Sequence, residues 1–154
     1  MNNFNHYYDS ETTRQVISRI VCLFSARGYN IDSLTVAPVE GTQYSRMTIV
    51  TTGDKRVIDQ IVKQLNKLIP VLKVNEHRNV IEKDTVLMKF SIDNDLSDID
   101  VIARAYHGSI QNVTDDSIIV SATDSSARIM NFIKVMQKFN PLEVVRSGIV
   151  AMER

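Results

Sequence analysis

The chain has 154 residues, of which 44% are hydrophobic and 23% charged, a mixture typical of a globular protein with packed cores rather than a disordered one. Its 18 basic side chains balance 18 acidic ones, so no overall field favours nucleic acid or an anionic membrane as a partner. No stretch approaches the roughly 18 apolar residues of a membrane span, and residues 1–10 lack the pattern of a secretory signal. We therefore expect a cytoplasmic protein.

In the first half of the chain, strand and helix patterns alternate. Apolar residues from Val16 to Phe24 recur at helical spacing and stop before Gly28, which suits a helix C-cap. Asp54 can cap a second helix, which Pro70 ends. The expected elements are a weak first strand at 1–10, a helix around 16–24, a hairpin of strands around 31–39 and 47–53, a helix around 57–68, and a short strand at 71–74.

The second half repeats this order after a charged connector. Asp115 and Asp116 suit a tight hairpin turn, Asp124 or Ser125 can cap the last helix, and Gly108 is expected to end the helix before it. The expected elements are a strand at 86–92, a helix at 96–103, strands at 110–113 and 118–122, a helix at 129–136, and a strand at 142–152.

These patterns predict an α+β protein with two ferredoxin-like βαββαβ domains. Each would have an antiparallel sheet with both helices on one face. The expected boundaries are 1–76 for the first domain, 77–84 for a linker and 85–154 for the second domain. We expect Cys22, Leu96 and the methionines at core periodicity, Met88, Met130 and Met136, to face the cores.

The sequence offers little for catalysis or metal binding. The three histidines, His6, His77 and His107, are scattered and form no metal-ligand spacing with Cys22. Five glycines occur singly, which is the distribution of turns and caps rather than of a phosphate loop. Neither a nucleophile elbow nor an RNA-recognition signature is present. We expect no catalytic residue, no metal site, and neither nucleic acid nor a membrane as a partner.

Several segments resemble the acetolactate synthase small subunits. The most specific is residues 27–38, RGYNIDSLTVAP, and the likeness continues in SRMTI at 45–49, QIVKQLNKLI at 60–69 and VVRSGI at 144–149. The resemblance covers roughly residues 16–152 and is weakest near 75–86 and 93–98. It implies an amino-terminal ACT domain, a carboxy-terminal domain of related fold, and a homodimer formed partly by pairing ACT domains.

The resemblance also implies a regulatory function. Members of this family carry no active site and activate a large catalytic subunit, which holds thiamine diphosphate, magnesium and a flavin (FAD). That enzyme condenses two pyruvates, or pyruvate with 2-ketobutyrate, in branched-chain amino acid biosynthesis, and many small subunits transmit feedback inhibition by valine. A free-standing ACT-domain amino acid sensor that acts on another partner stays open as the alternative.

The resemblance places an effector site between paired ACT domains. Asn30 matches the effector asparagine of the family, and Ile31 follows it as expected. The other part is the turn before the first helix, where a helix N-terminus can receive a carboxylate. Here the chain departs from its family, because Thr12 replaces an asparagine and Gln15 replaces a glycine; Val16 and Ile17 complete this turn. We therefore expect valine sensing to be weakened or lost.

Overall fold

A computed structural model describes residues 2–9, 13–69, 71–77 and 79–154, with the backbone alone for 2–9, 13 and 14. The amino-terminal elements are β1 (Asn2–Asp9), α1 (Thr13–Ala26), β2 (Ser33–Pro38), β3 (Tyr44–Thr51), α2 (Lys55–Leu65) and β4 (Val71–His77). The elements that follow are β5 (Val80–Ser91), α3 (Leu96–Ala105), β6 (Gly108–Val113), β7 (Ser117–Asp124), α4 (Ser126–Met136), a 3-10 turn (Gln137–Phe139), β8 (Glu143–Arg146) and β9 (Val150–Glu153).

The two sheets share one antiparallel order of four strands. This order is β2-β3-β1-β4 in the first sheet and β6-β7-β5-β8 in the second, so the first strand of each half lies between two neighbours. The second sheet has a fifth strand, β9, which also pairs with β5. Together with the order of the elements, this confirms the expected tandem ferredoxin-like α+β fold. The residues expected to be weak material for a central strand, 2–9, do form one, because both neighbours hydrogen-bond to their backbone.

The chain divides into two compact units, Met1–Val80 with Ala151–Arg154, and Ile81–Val150. The segment 77–84, expected as a linker, is mostly strand, because β4 continues to His77 and β5 begins at Val80. Its charged residues suggested a connector, yet Asp84 is buried between more exposed neighbours, which is the alternation of a strand. The single strand expected at 142–152 is divided into β8 and β9.

Each unit has its own apolar core between its helices and one face of its sheet. Full burial of an aliphatic or aromatic side chain contributes about 1.5–3 kcal/mol, so these cores are the main source of stability. The amino-terminal core contains Val16, Ile20, Phe24, Met47, Ile49, Ile58, Ile61 and Leu65. The carboxy-terminal core contains Val86, Met88, Phe90, Ile99, Ala103, Ile118, Val120, Ala122, Ile129, Phe132, Met136 and Phe139.

The end of α1 forms a Schellman cap around Gly28, as the glycine predicted. Gly28 has φ +66°, and the Tyr29 N–H donates to the Phe24 carbonyl at 2.9 Å while the Gly28 N–H donates to Ser25 at 3.2 Å. The rings of Phe24 and Tyr29 meet edge to face, with centroids 6.2 Å apart. The cap therefore fixes the direction in which the chain leaves α1.

The end of α3 differs from the prediction that Gly108 would cap it. His107 takes the left-handed conformation, with φ 58°, and Gly108 is the first residue of β6. A Cβ on Gly108 would lie 2.5 Å from the Ser121 carbonyl oxygen of β7. Glycine is required at this position because the two strands approach closely, not because the backbone is left-handed.

Three side chains expected in the cores are exposed. Cys22 is exposed because the buried stripe of α1 is Val16, Ile20 and Phe24, and a residue two positions from Ile20 points away from that stripe. Met130 and Leu96 are 56% and 41% exposed, so the core prediction was wrong for both, although it is confirmed for Met88 and Met136.

Candidate functional site

The loop between α1 and β2 holds the first part of the predicted effector site. Asn30 is exposed, and its backbone carbonyl accepts a hydrogen bond from the Thr51 hydroxyl at 2.5 Å. Its side-chain Nδ2 donates to the Asp32 carboxylate at 2.5 Å, and the Asp32 N–H donates to the Val50 carbonyl at 2.8 Å. The loop is thus tied to the last residues of β3, where Val50 and Thr51 are buried.

The other predicted residues differ in what they can offer a ligand. The Ile31 side chain is half-buried and packs against the amino-terminal core, as Ile17 does. Val16 is 1% exposed and belongs to that core, so only its backbone could reach a ligand. Gln15 is exposed in the first turn of α1, where N–H groups lack helical partners. Thr12 lies outside the described residues.

Within one chain, the two parts of the predicted site lie far apart. The effector turn begins α1 and Asn30 follows its end, and the 14 residues of that helix at about 1.5 Å each span about 20 Å. The sheet register agrees: β1 finishes opposite Tyr44, at one end of β3, whereas β2 starts opposite Val50, at the other end. One copy of the chain therefore does not bring Asn30 and Gln15 together.

In the carboxy-terminal unit, a buried ion pair joins β5 to β8. The Asp84 side chain is fully buried and pairs with Arg146, whose Nε donates to Oδ2 at 2.6 Å. Arg146 Nη2 also donates to the Ser126 hydroxyl at 2.7 Å, at the start of α4. Ser147 adds a second tie, since its hydroxyl donates to Asp84 at 3.3 Å and accepts the Thr85 N–H at 2.9 Å. This cluster holds an edge strand in place.

A second carboxylate, Asp124, has several donors of its own. The Ser125 N–H donates to it at 2.8 Å, while Arg128 Nε, His107 Nδ1 and Lys83 Nζ lie 2.6, 2.9 and 3.2 Å from its oxygens. The Ser125 N–H is the largest cause that holds the pKa of Asp124 well below its usual range, and the side-chain partners add to it against the opposing effect of burial.

The two carboxylates are directly opposed across β5 and β7, since Asp84 pairs in register with Asp124. Like charges in that position repel, so each needs its own cationic partner. Asp84 has Arg146, and Asp124 has both Arg128 and Lys83, so neither carboxylate is left free to act as an acid or a base. We call Asp84, Asp124 and their cationic partners the polar layer. The sequence analysis did not predict it, although Asp84, a charged residue at an inward position of β5, was a usable signal.

A depression lies on the sheet of the carboxy-terminal unit, and none of the predicted site residues lines it. Its volume is about 150 Å³, and Leu87, Ile119 and Val145 are among its lining residues. Among the described residues, no group of three or more His, Cys, Asp or Glu side chains is placed to hold a metal ion. None of the described helices is long and apolar enough to span a membrane.

Comparison with protein families gives two matches, one in each half of the chain. Residues 16–73 match the model described as "AHAS small subunit-like ACT domain", and residues 83–154 match "Small subunit of acetolactate synthase". The fold and these matches define an ACT-domain protein made of two ferredoxin-like units.

Individual relatives agree over most of the chain. The acetolactate synthase small subunit of Buchnera aphidicola (subsp. Baizongia pistaciae) is 40% identical over 146 residues, 92% of this chain and 92% of that protein. The isozyme 3 small subunit of Escherichia coli is 36% identical, covering 94% and 91%. The crystal structure of the Thermotoga maritima small subunit superimposes with a TM-score of 0.90 at 30% identity, covering 99% of this chain and 96% of that one. The chain belongs to the acetolactate synthase small subunit family.

Proposed function

We propose that this chain is the regulatory subunit of acetolactate synthase: it binds a large catalytic subunit, raises its condensation of two pyruvates, and performs no catalysis itself. The observation that carries this proposal is similarity across both units at once, through the two family matches and the Thermotoga superposition. The carboxylates of the polar layer fit a role without catalysis, since each is engaged by its own cation.

The cofactors of the reaction belong, in this proposal, to the catalytic partner. Thiamine diphosphate, magnesium and FAD would all be bound there, and the pathway would be valine, leucine and isoleucine biosynthesis. The proposed compartment is the cytoplasm, where the exposed thiol of Cys22 would stay reduced.

The chain would act as a homodimer that pairs the open edges of β2. In the sheet order β2-β3-β1-β4, β2 has a neighbour on one side only. The hydroxyl of Thr35, on this edge strand, is buried without a hydrogen-bond partner among the described residues. Open edges pair readily with another strand, and an isologous contact between identical strands is antiparallel.

That pairing would complete the effector site from two copies. Antiparallel β2 strands place the Ser33 end of one copy beside the Pro38 end of the other. Pro38 pairs with Ser45, and Tyr44 pairs with the last residue of β1, so this end of the sheet is where α1 starts. The loop at Asn30 of one copy would thus approach the first turn of α1 in its partner, a distance that one chain cannot bridge.

A disulfide test measures this approach without any effector. In a Cys22→Ser background, Gln15→Cys combined with Asn30→Cys should form covalent dimers under mild oxidation. A disulfide needs Cα atoms closer than about 7 Å, and the part of α1 that separates these positions within one chain, from Gln15 to Ala26, spans about 16 Å, more than twice that distance. Each single-cysteine variant is the matched control. Monomers alone on a non-reducing gel would contradict the pairing.

Valine sensing would be weakened while association persists. Gln15 is exposed in the first turn of α1, and its side chain occupies space that glycine would leave for a ligand approaching the backbone. Calorimetric titration of the purified chain should show no micromolar valine binding. A clear micromolar isotherm would show that Gln15 is tolerated.

Co-purification tests the proposal itself. The full chain, mixed with the catalytic subunit of acetolactate synthase, should elute with it from a size-exclusion column. Separate elution across a range of protein concentrations, or retention of a different partner, would contradict the proposed function.

A further inference from the structure

The Asp32 carboxylate is hydrogen-bonded on both of its oxygens. Oδ1 accepts from Asn30 Nδ2 at 2.5 Å, and Oδ2 accepts from the Thr52 hydroxyl at 2.8 Å. The Asp32 N–H also donates to the Val50 carbonyl, at 2.8 Å. Asp32 is therefore fixed by its backbone and its side chain to the end of β3, two positions from the exposed amide of Asn30.

This contact decides which way the Asn30 amide faces. An amide can turn either its oxygen or its nitrogen toward a neighbour, but an ionised carboxylate has acceptors only. The Asn30 nitrogen must therefore face Asp32, and the amide oxygen points away from it. The Thr51 hydroxyl is bonded to the backbone oxygen of Asn30, so it leaves the amide oxygen free to accept elsewhere.

The charge at this loop favours an ammonium group as the ligand of the Asn30 amide oxygen. A free amide oxygen beside a carboxylate offers acceptors and negative charge, which attract an ammonium group and repel a carboxylate. The opposite end of the proposed two-chain site is a helix N-terminus, which favours a carboxylate. The two ends thus match the two charged groups of an α-amino acid.

We propose that Asp32 is a positioning residue of the effector site: it orients the Asn30 amide so that its oxygen receives the ammonium group of an amino acid. This inference rests on the proposed function and deepens it. Asp32 acts through Asn30, Thr52 holds Asp32 in turn, and neither is a catalytic residue.

Nuclear magnetic resonance tests the orientation in the full chain without an effector. The two side-chain N–H protons of Asn30, assigned by their loss in Asn30→Asp, should be strongly inequivalent because one of them donates to a carboxylate. Asp32→Asn should bring them closer together, whereas Asp32→Glu, which keeps the acceptor, should largely preserve the difference. Asn30 resonances that are unchanged in Asp32→Asn would overturn the proposal.

Valine titration provides the second readout, in the wild-type chain or, if that does not bind, in Gln15→Gly. Asp32→Asn should weaken the Kd about tenfold, comparable to losing one oriented hydrogen bond, and Asp32→Glu should stay within about threefold. An unchanged Kd in Asp32→Asn would overturn the proposal. If neither background binds valine, the NMR result alone decides.

Activation of the catalytic subunit, measured without valine, separates the two proposals. Asp32→Asn and Asp32→Glu should activate it to the same extent as each other, because the two variants differ only in whether the Asn30 amide keeps its acceptor. Loss of activation in Asp32→Asn alone would show a structural role instead, and would overturn the assignment. Failure of the wild-type chain to activate would contradict the proposed function, while the NMR result on Asn30 would still stand or fall independently.

Discussion

Replacing Arg146 by Met should strongly destabilise the carboxy-terminal unit. Methionine keeps much of the apolar length of arginine but removes the partner of Asp84, whose side chain is 0% exposed. Among the residues that the structure describes, the carboxylate would keep only the 3.3 Å contact from the Ser147 hydroxyl. Arg146 also donates to Ser126, so its loss releases β8 from α4 as well as from β5.

The magnitude follows from leaving a buried charge unpaired. Removing one partner of a buried ion pair costs about 3–5 kcal/mol, because the remaining charge is no longer compensated. Arg146 is 33% exposed, so water can partly solvate the vacated place. We therefore expect a loss near the lower limit, about 3 kcal/mol.

Urea unfolding followed by circular dichroism measures this loss as a lower midpoint of the transition. Arg104→Ala is the matched control, because Arg104 forms an exposed i,i+4 pair with Asp100 and should cost under about 0.5 kcal/mol. The double variant Asp84→Asn with Arg146→Met should recover part of the loss, since no buried charge is then left unpaired. A change in Arg146→Met no larger than that of Arg104→Ala would refute the reasoning.

Three further predictions concern pH, a buried hydroxyl and the effector turn. The folded-state pKa of Asp124 lies below its unfolded value, so its contribution to stability is present above about pH 4 and is lost as pH falls below it. Asp124→Asn should therefore be less stable near pH 7 and lose less stability between pH 5 and pH 2 in acid titrations; parallel curves would contradict this. Thr35→Val should leave the thermal midpoint unchanged or raise it, whereas Thr51→Val, which loses its bond to the Asn30 carbonyl, should cost about 1 kcal/mol. A Thr35→Val loss equal to that of Thr51→Val would show that the Thr35 hydroxyl has a partner. Gln15→Gly should bind valine more tightly than the wild-type chain in calorimetry, and no gain would place the defect elsewhere in the turn.

Sequence patterns predicted the architecture well, because apolar periodicity and caps are local signals. The stripes of both amino-terminal helices, the cap at Gly28 and the Asp54 side chain that accepts the Val57 N–H were all readable in the chain. The boundaries of strands were harder to predict where a charged residue is buried. Asp84 looked like part of a linker, since nothing local shows that Arg146, 62 residues away, neutralises it.

The candidate site was predictable only through family resemblance. Asn30 and Ile31 were found because the surrounding block is distinctive, but the contacts of Asn30 with Asp32 and Thr51 depend on how the loop meets β3. That the two parts of the site lie at opposite ends of α1 also follows from the fold. Cys22 lies in an apolar run of α1 and is nevertheless exposed. Such a run alone does not show which side of the helix packs against the sheet.

The most direct test is the rate of acetolactate formation by the catalytic subunit, alone and with increasing amounts of this chain. With thiamine diphosphate, magnesium, FAD and pyruvate present, the rate should rise and then saturate as the chain is added, and the chain alone should form no acetolactate. A rate that does not depend on the chain, or turnover by the chain alone, would contradict the account.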